Sequence, residues 1–286
     1  MVAVSPFPLL RLPNLKDVLL NMGIIEQICF SLVSNKTKDF IRMFQVFKDA
    51  NFCIENWRLI TYTLSGNQSK ATFYFENGLV TAYNLLQTRI FSVPQFDVRS
   101  FLNHFLSIIS PSNIDLFHFP VYNEFDEAQF KSLSECLESH EIYNLHVYWK
   151  FEMDPFFKVI NAFLPTKHLK IHPTFHRTLT SFQKLSLKRI LTQKFQILSI
   201  FQIDISLDDL LLTNCSRIHC FSEILSNNDI NLFLKFWMGG LKPELETFLV
   251  QRHEDTFNFD IILEGISQES LFREQDGATI HFTKIS

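Results

Sequence analysis

The sequence predicts a mixed α+β and α/β chain. Its parts are a helical N-terminal module over residues 1–47, a small antiparallel β-module or linker over 48–95, and a repeat-like, curved α/β region over 96–286. Three observations predict it. Short amphipathic helical runs fill Phe7 to Phe44, an Asn-Gly pair at Asn77-Gly78 stands between two apolar runs, and from about residue 96 helical runs alternate with strands carrying one recurring apolar pattern.

Composition bounds the function. The chain has 286 residues, 47% of them hydrophobic, with 32 phenylalanines and seven glycines. That is enough apolar material for a sizeable core, and too little clustered glycine for phosphate-cradling loops. Net charge is −4 with acids and bases interspersed, so no basic stripe points to nucleic acid. No apolar run approaches the roughly 18–20 residues of a membrane span. The opening MVAVSPFPLLRLP lacks the basic start of a signal peptide. Five scattered cysteines, an odd number, read as free thiols in a reducing compartment. The expected location is cytoplasmic or nuclear.

In the first module, Pro13 suits the start of a helix. Leu15, Val18, Leu19 and Met22 follow at helical spacing, and Gly23 ends the run. A second helix starts near Ile24, with Ile25, Ile28 and Leu32 on one face. Helices this short bury little of their own apolar surface and need a partner.

The strings FPLLRLP (Phe7 to Pro13) and SLVSNKTK (Ser31 to Lys38) make this segment resemble an F-box, specifically that of the large nematode F-box families. The resemblance implies docking to a Skp-type adaptor of a cullin ligase, with Leu9, Leu12, Pro13, Leu15, Ile25, Ile28 and Leu32 as the expected anchors.

Next come strands with turn punctuation. Trp57 to Leu64 alternates loosely, Ser65 to Lys70 reads as a loop, and Ala71 to Phe75 resumes. Asn77-Gly78 is a two-residue hairpin signal, with Leu79 to Leu85 as the returning strand.

Beyond residue 96, helices are expected over Phe96–Ile109, Asp126–Ser139, Asp154–Phe163, Thr180–Thr192, Leu207–Leu212 and Asp229–Trp237. Strands fall over Ile114–Phe119 and Ile142–Trp149, and near Leu169, Leu198, Ile218 and Phe248. Ser206 with Asp209 forms a capping box, Asn228 or Asp229 is the expected cap of the last helix, and Gly239-Gly240 stops it. The strands share apolar triplets: Ile114-Phe117-Phe119, Ile142-Leu145-Val147, Phe195-Leu198-Ile200, Cys215-Ile218-Cys220 and Leu245-Phe248-Val250, with Thr166-Leu169-Ile171 a weaker copy. Successive central positions lie 28, 24, 29, 20 and 30 residues apart. Such spacing matches a leucine-rich-repeat-like sheet of one strand and one helix per unit; a doubly wound sheet yields similar triplets.

Leu207 to Leu211, then Asn231, Phe233, Leu234, Lys235 and Trp237, and the closing Asp276-Gly277-Ala278-Thr279-Ile280 resemble the nematode F-box associated domain, type 2. The closing string is shorter than the family's, which puts the last hairpin in doubt. Residues 50–190 match in pattern only.

The sequence has no GxxxxGK, HExxH, GxSxG or paired CxxC. His168, His172 and His176 are four apart, but Pro173 breaks the helix that spacing requires. Cys215 and Cys220 occupy apolar strand positions, flanking His219, and read as small core residues. Arg252, His253, Glu254 and Asp255 read as a solvated loop, Trp149 and Trp237 as core aromatics. No catalytic residue, metal or cofactor is expected, and the chain is not expected to be an enzyme.

In a repeat sheet the residue between the second and third apolar positions points outward. Those residues are His118, His146, Lys170, Ser199, His219 and Leu249, with Tyr148, His172, Phe201 and Phe221 one step further. The expectation is a polar, weakly basic ladder, with His118, His146, Tyr148, Lys170 and His219 as substrate-binding residues. The two resemblances imply, as the expected function, a substrate-recognition adaptor of a cullin-type ubiquitin ligase. The alternative is a repeat-type protein-binding module acting outside any ligase.

Overall fold

A computed structural model describes residues 12–47, 51–56, 60–66, 69–76, 78–84, 87–109, 113–121, 127–149, 153–173, 179–252, 257–267, 271–276 and 279–284. The chain divides into two compact units, residues 1–115 with 130–140, and residues 116–129 with 141–286.

The first unit opens with three helices, α1 (Leu12–Asn21), α2 (Ile24–Val33) and α3 (Asn35–Met43). Gly23 separates the first two in extended conformation, as the N-cap of α2. Ser34 caps α3 through a capping box with Thr37, meeting two of the N–H groups that a helix start leaves open. Strands β1 (Asn51–Asn56), β2 (Ile60–Gly66), β3 (Ser69–Glu76), β4 (Leu79–Asn84) and β5 (Thr88–Ser92) follow as an antiparallel meander.

Glu76 pairs with Leu79, so two residues close that hairpin, and Gly78 has φ +76°. A Cβ there would be strained by the left-handed backbone and would press on the Pro94 backbone at 3.2 Å. The expected loop Ser65–Lys70 is shorter than read: the ladder runs on to a Gly66–Ser69 pair. Small polar residues pair there, and polarity alone did not distinguish ladder from loop.

Helix α4 (Val98–Ile109) completes this unit with the greater part of α5 (Glu127–Leu137). Phenylalanines explain why α4 sits with the meander. Phe101 stacks on Phe75 at 4.7 Å between ring centroids, and Phe105 meets Phe73 at 5.3 Å and Phe52 at 6.1 Å. Those rings are fully buried, and aromatic pairs at such spacing add to the hydrophobic gain.

The second unit holds most of β6 (Asn113–Val121), then β7 (Glu141–Trp149), α6 (Met153–Ala162), β8 (Thr166–Pro173), α7 (Ser181–Leu191), β9 (Lys194–Ile200), α8 (Leu207–Leu212), β10 (Asn214–Phe221), α9 (Asn227–Met238), β11 (Thr247–Gln251), the single turn α10 (Phe259–Ile262), β12 (Leu271–Asp276) and β13 (Thr279–Lys284). From β6 to β11 the strands neighbour one another in chain order. β7 to β11 pair in parallel. β13 then pairs antiparallel with β11, and β12 with β13.

Alternation decides which side of each strand is covered. Leu145, Val147, Leu169, Ile171, Leu198, Ile200, Ile218, Cys220, Phe248 and Val250 are buried. Their outward neighbours on β7, β8 and β11 are half-exposed. Trp237 is fully buried and donates its indole N–H to the Leu245 carbonyl at 2.8 Å. The cap of α9 is Ser226, with Asp229 completing the box. The expected cap, Asn228 or Asp229, lies two or three residues too late. The C-terminal Gly239 and Gly240 end α9 as read, Gly240 at φ +88°.

No helix among the described residues is long and apolar enough to cross a membrane. The described residues hold no cluster of His, Cys, Asp or Glu fit for a metal ion.

Candidate interaction surfaces

The helical module presents the first surface. Leu15, Leu19, Ile25, Ile28 and Ile41 are buried within the unit. Three of the expected anchors, Leu15, Ile25 and Ile28, are therefore interior residues that hold the helices together, and they offer no free surface to a partner. Leu32 is half-buried. The side chains of Leu12 and Pro13, and all of Leu9, lie outside the described residues. The exposed apolar side chains are Val18 (45% exposed) and Leu20 (51%) on α1, Val33 (69%) at the end of α2 and Met43 (54%) at the end of α3. Apolar periodicity finds a helix's buried stripe, so the anchors it selects are those the chain uses for itself.

Buried polar groups fix this module. Gln27 donates to the Leu19 carbonyl at 2.7 Å. Ser31 donates to the Ile28 carbonyl at 2.6 Å and lies 2.9 Å from His104 Nε2 on α4. With the hydroxyl proton so used, the imidazole Nε2–H donates to Ser31 Oγ. Burial, then the nearby Lys38, pushes the His104 pKa down to about 4, so the ring is neutral. Gln87 also donates to the Glu26 carboxylate at 2.8 Å. Sequence reading missed His104. Its place on the apolar stripe of α4, between Phe101 and Ile108, was the available signal.

The second surface is the outward side of β6 to β11. Pairing registers define three rows. Asn144, His168, Ile197, Arg217 and Thr247 form the first. His146, Lys170, Ser199, His219 and Leu249 form the second, and His281 of β13 extends it. In the third, Tyr148 pairs with His172, and Phe221 with Gln251. The expected ladder from His146 to Leu249 thus forms one continuous register. From β6, the ring of His118 lies 4.6 Å from that of Tyr148 in the third row.

Rings then run along one end of the strands: Tyr148 stacks on His172 at 5.2 Å, and His172 meets Phe201 at 5.5 Å. Lys170 Nζ lies over both Tyr148 (5.6 Å) and Phe201 (5.5 Å), within cation–π range. Ser199 is buried and lies 3.5 Å from His219 Nδ1.

The ladder is less basic than expected. Burial pushes the His146 pKa down to about 4, with Lys170 and other histidines adding to the shift. Burial likewise lowers His168, His172 and His219. These imidazoles are neutral near pH 7, each one donor and one acceptor, and positive charge comes from Lys170 and Arg217. Arg217 is loosely paired with Glu246 at 4.0 Å, both exposed.

The remaining candidates are structural. His168 and His172 sit on strand β8, and His176 lies outside the described residues. Cys215 and Cys220 are buried, their thiols pushed up to about 12 by burial, which leaves them inert as nucleophiles. Arg252, expected in a solvated loop, is buried. Its guanidinium donates to the Leu225 carbonyl and to Asn227 Oδ1 and lies 4.6 Å from the Phe257 ring centroid. Residues 253–256 and the Trp149 side chain lie outside the described residues.

Comparison with known proteins matches residues 9–49 to the F-box domain and residues 186–250 to the F-box associated family. Among curated proteins, the chain is 25% identical over 264 residues to an F-box associated domain-containing protein, sdz-33, of Caenorhabditis elegans. The match covers 87% of this chain and 80% of that one. No solved structure matches.

Proposed function

The chain belongs to the nematode F-box proteins that carry an F-box associated domain, and from this premise we propose that it serves a cullin-type ubiquitin ligase as a substrate-recognition adaptor. The observation that carries the reading is the presence of both domain matches in one chain. In this reading the F-box docks to a Skp-type adaptor inside the cell. Its surface comprises Leu9, Leu12, Pro13 and Leu32 with the exposed Val18, Leu20, Val33 and Met43. Leu15, Ile25 and Ile28 act beneath it, by fixing the helices. The rows of β6 to β11, read as a leucine-rich-repeat-like sheet, present a protein substrate to His118, His146, Tyr148, Lys170 and His219. The chain performs no bond chemistry of its own. It raises the effective concentration of a substrate lysine near the ubiquitin-loaded enzyme.

Co-expression with a Skp-type adaptor tests the docking half. A stable complex is the expected result, and Val18→Asp with Leu20→Asp should abolish it while leaving the circular dichroism spectrum unchanged. A complex that survives both substitutions removes α1 from the interface. A wild-type chain that forms none favours a binding module working outside a ligase.

A further inference from the structure

Lys170 decides what can cover the outward side of the sheet. The residue is half-buried at the centre of the second row, and its ammonium rests over the Tyr148 and Phe201 rings. It has no carboxylate partner among the described residues. Ring faces hold an ammonium in place without neutralising it. A partner laid over this face therefore strips water from a full positive charge, and a neutral or basic partner leaves that charge buried and unpaired.

The surroundings have the same bias. Apart from the exposed Glu141 at the start of β7, the strands β7 to β11 carry no aspartate or glutamate, in a chain of net charge −4. The nearby acids stand outside the rows. Asp204 and Glu223 follow β9 and β10, Glu223 acts on Arg252, and Glu246 precedes β11 beside Arg217. The neutral imidazoles cost little to cover and offer N–H donors.

We propose that this face binds an acidic, extended peptide segment, with a carboxylate seated on Lys170 between the Tyr148 and Phe201 rings and flanking acids reaching Arg217. This rests on the substrate-binding reading of the sheet and specifies the class of substrate. A nucleic-acid strand is disfavoured, because two cations do not track a phosphate backbone.

The test is fluorescence anisotropy on the full chain with a labelled nine-residue peptide of Asp, Glu and Phe, its Asn/Gln counterpart, and a single-stranded octanucleotide. Saturable binding of the acidic peptide is expected, weakening as salt rises. Lys170→Gln should weaken it about tenfold, Lys170→Arg should retain most of it, and the charge-matched Arg189→Gln on α7 should leave it unchanged. Equal binding of the Asn/Gln peptide, an unaffected Lys170→Gln, an equal loss in Arg189→Gln, or tighter binding of the oligonucleotide each overturns the proposal. The adaptor reading fails separately. Acidic-peptide binding without a Skp-type complex counts against that reading and leaves this one standing. A complex that captures substrate through His146, Lys170 and His219, yet ignores the acidic peptide, does the reverse.

Discussion

At the scale of single residues, His104 makes the fold sensitive to acid. Its folded pKa is about 4, against roughly 6.5 in an unfolded chain. The unfolded state therefore binds the proton first as pH falls. The stability this neutral ring supports is fully present above pH 6.5 and is lost between 6.5 and about 4. The ceiling is about 3 kcal/mol. Urea unfolding at pH 7.5 and pH 5 should show the drop, and His104→Gln, which keeps a donor for Ser31 without titrating, should shrink it. An unchanged pH dependence in that variant removes His104 as its source. Some slope should persist, because His146 is shifted in the same direction by the same cause. Neither effect was readable in the sequence. A histidine's protonation depends on what covers it, and the cover here joins the nearby Phe96 to Ser31 of α2, 73 residues away along the chain. The docking anchors illustrate the same limit. Leu15, Ile25 and Ile28 were legible as apolar and in phase, but the direction of that phase was fixed by α4 and the meander.

Elements were more legible than residues. The Asn-Gly signal located one hairpin because the left-handed turn made at Gly78 is local, and matched apolar triplets located β6 to β11 because each strand buries alternate residues. The ladder followed from the same regularity: parallel strands paired at equal offsets bring equivalent positions side by side. Elements lacking a local signal were missed, such as the single turn α10 and the separate strands β1 and β5. Helix α9 offers a sharp test of its cap. Ser226→Ala should cost about 1 kcal/mol, since its hydroxyl meets the Asp229 N–H at 3.1 Å, while Asn228→Ala should fall within about 0.5 kcal/mol of zero. Thermal melts of the two variants distinguish them, and equal losses would place the cap elsewhere.

For the whole molecule, the two surfaces lie in different compact units and should fail independently. Val18→Asp with Leu20→Asp should end association with a Skp-type adaptor yet leave acidic-peptide binding intact; Lys170→Gln should do the opposite. If the chain serves as the proposed adaptor, either variant should reduce ubiquitin transfer to a captured substrate in a reconstituted ligase, because that role requires both attachments at once. Joint loss in binding assays with each variant would contradict that separation. The row register of β7 to β11 carries one more consequence. Buried residues alternate with outward ones, so folding is written on one set of positions and the exposed chemistry of the face on the other. Exchanges at half-exposed outward sites cost little stability. A duplicated copy of such a chain can change the chemistry of three rows through a few exchanges, while its helical module and its core stay as they were.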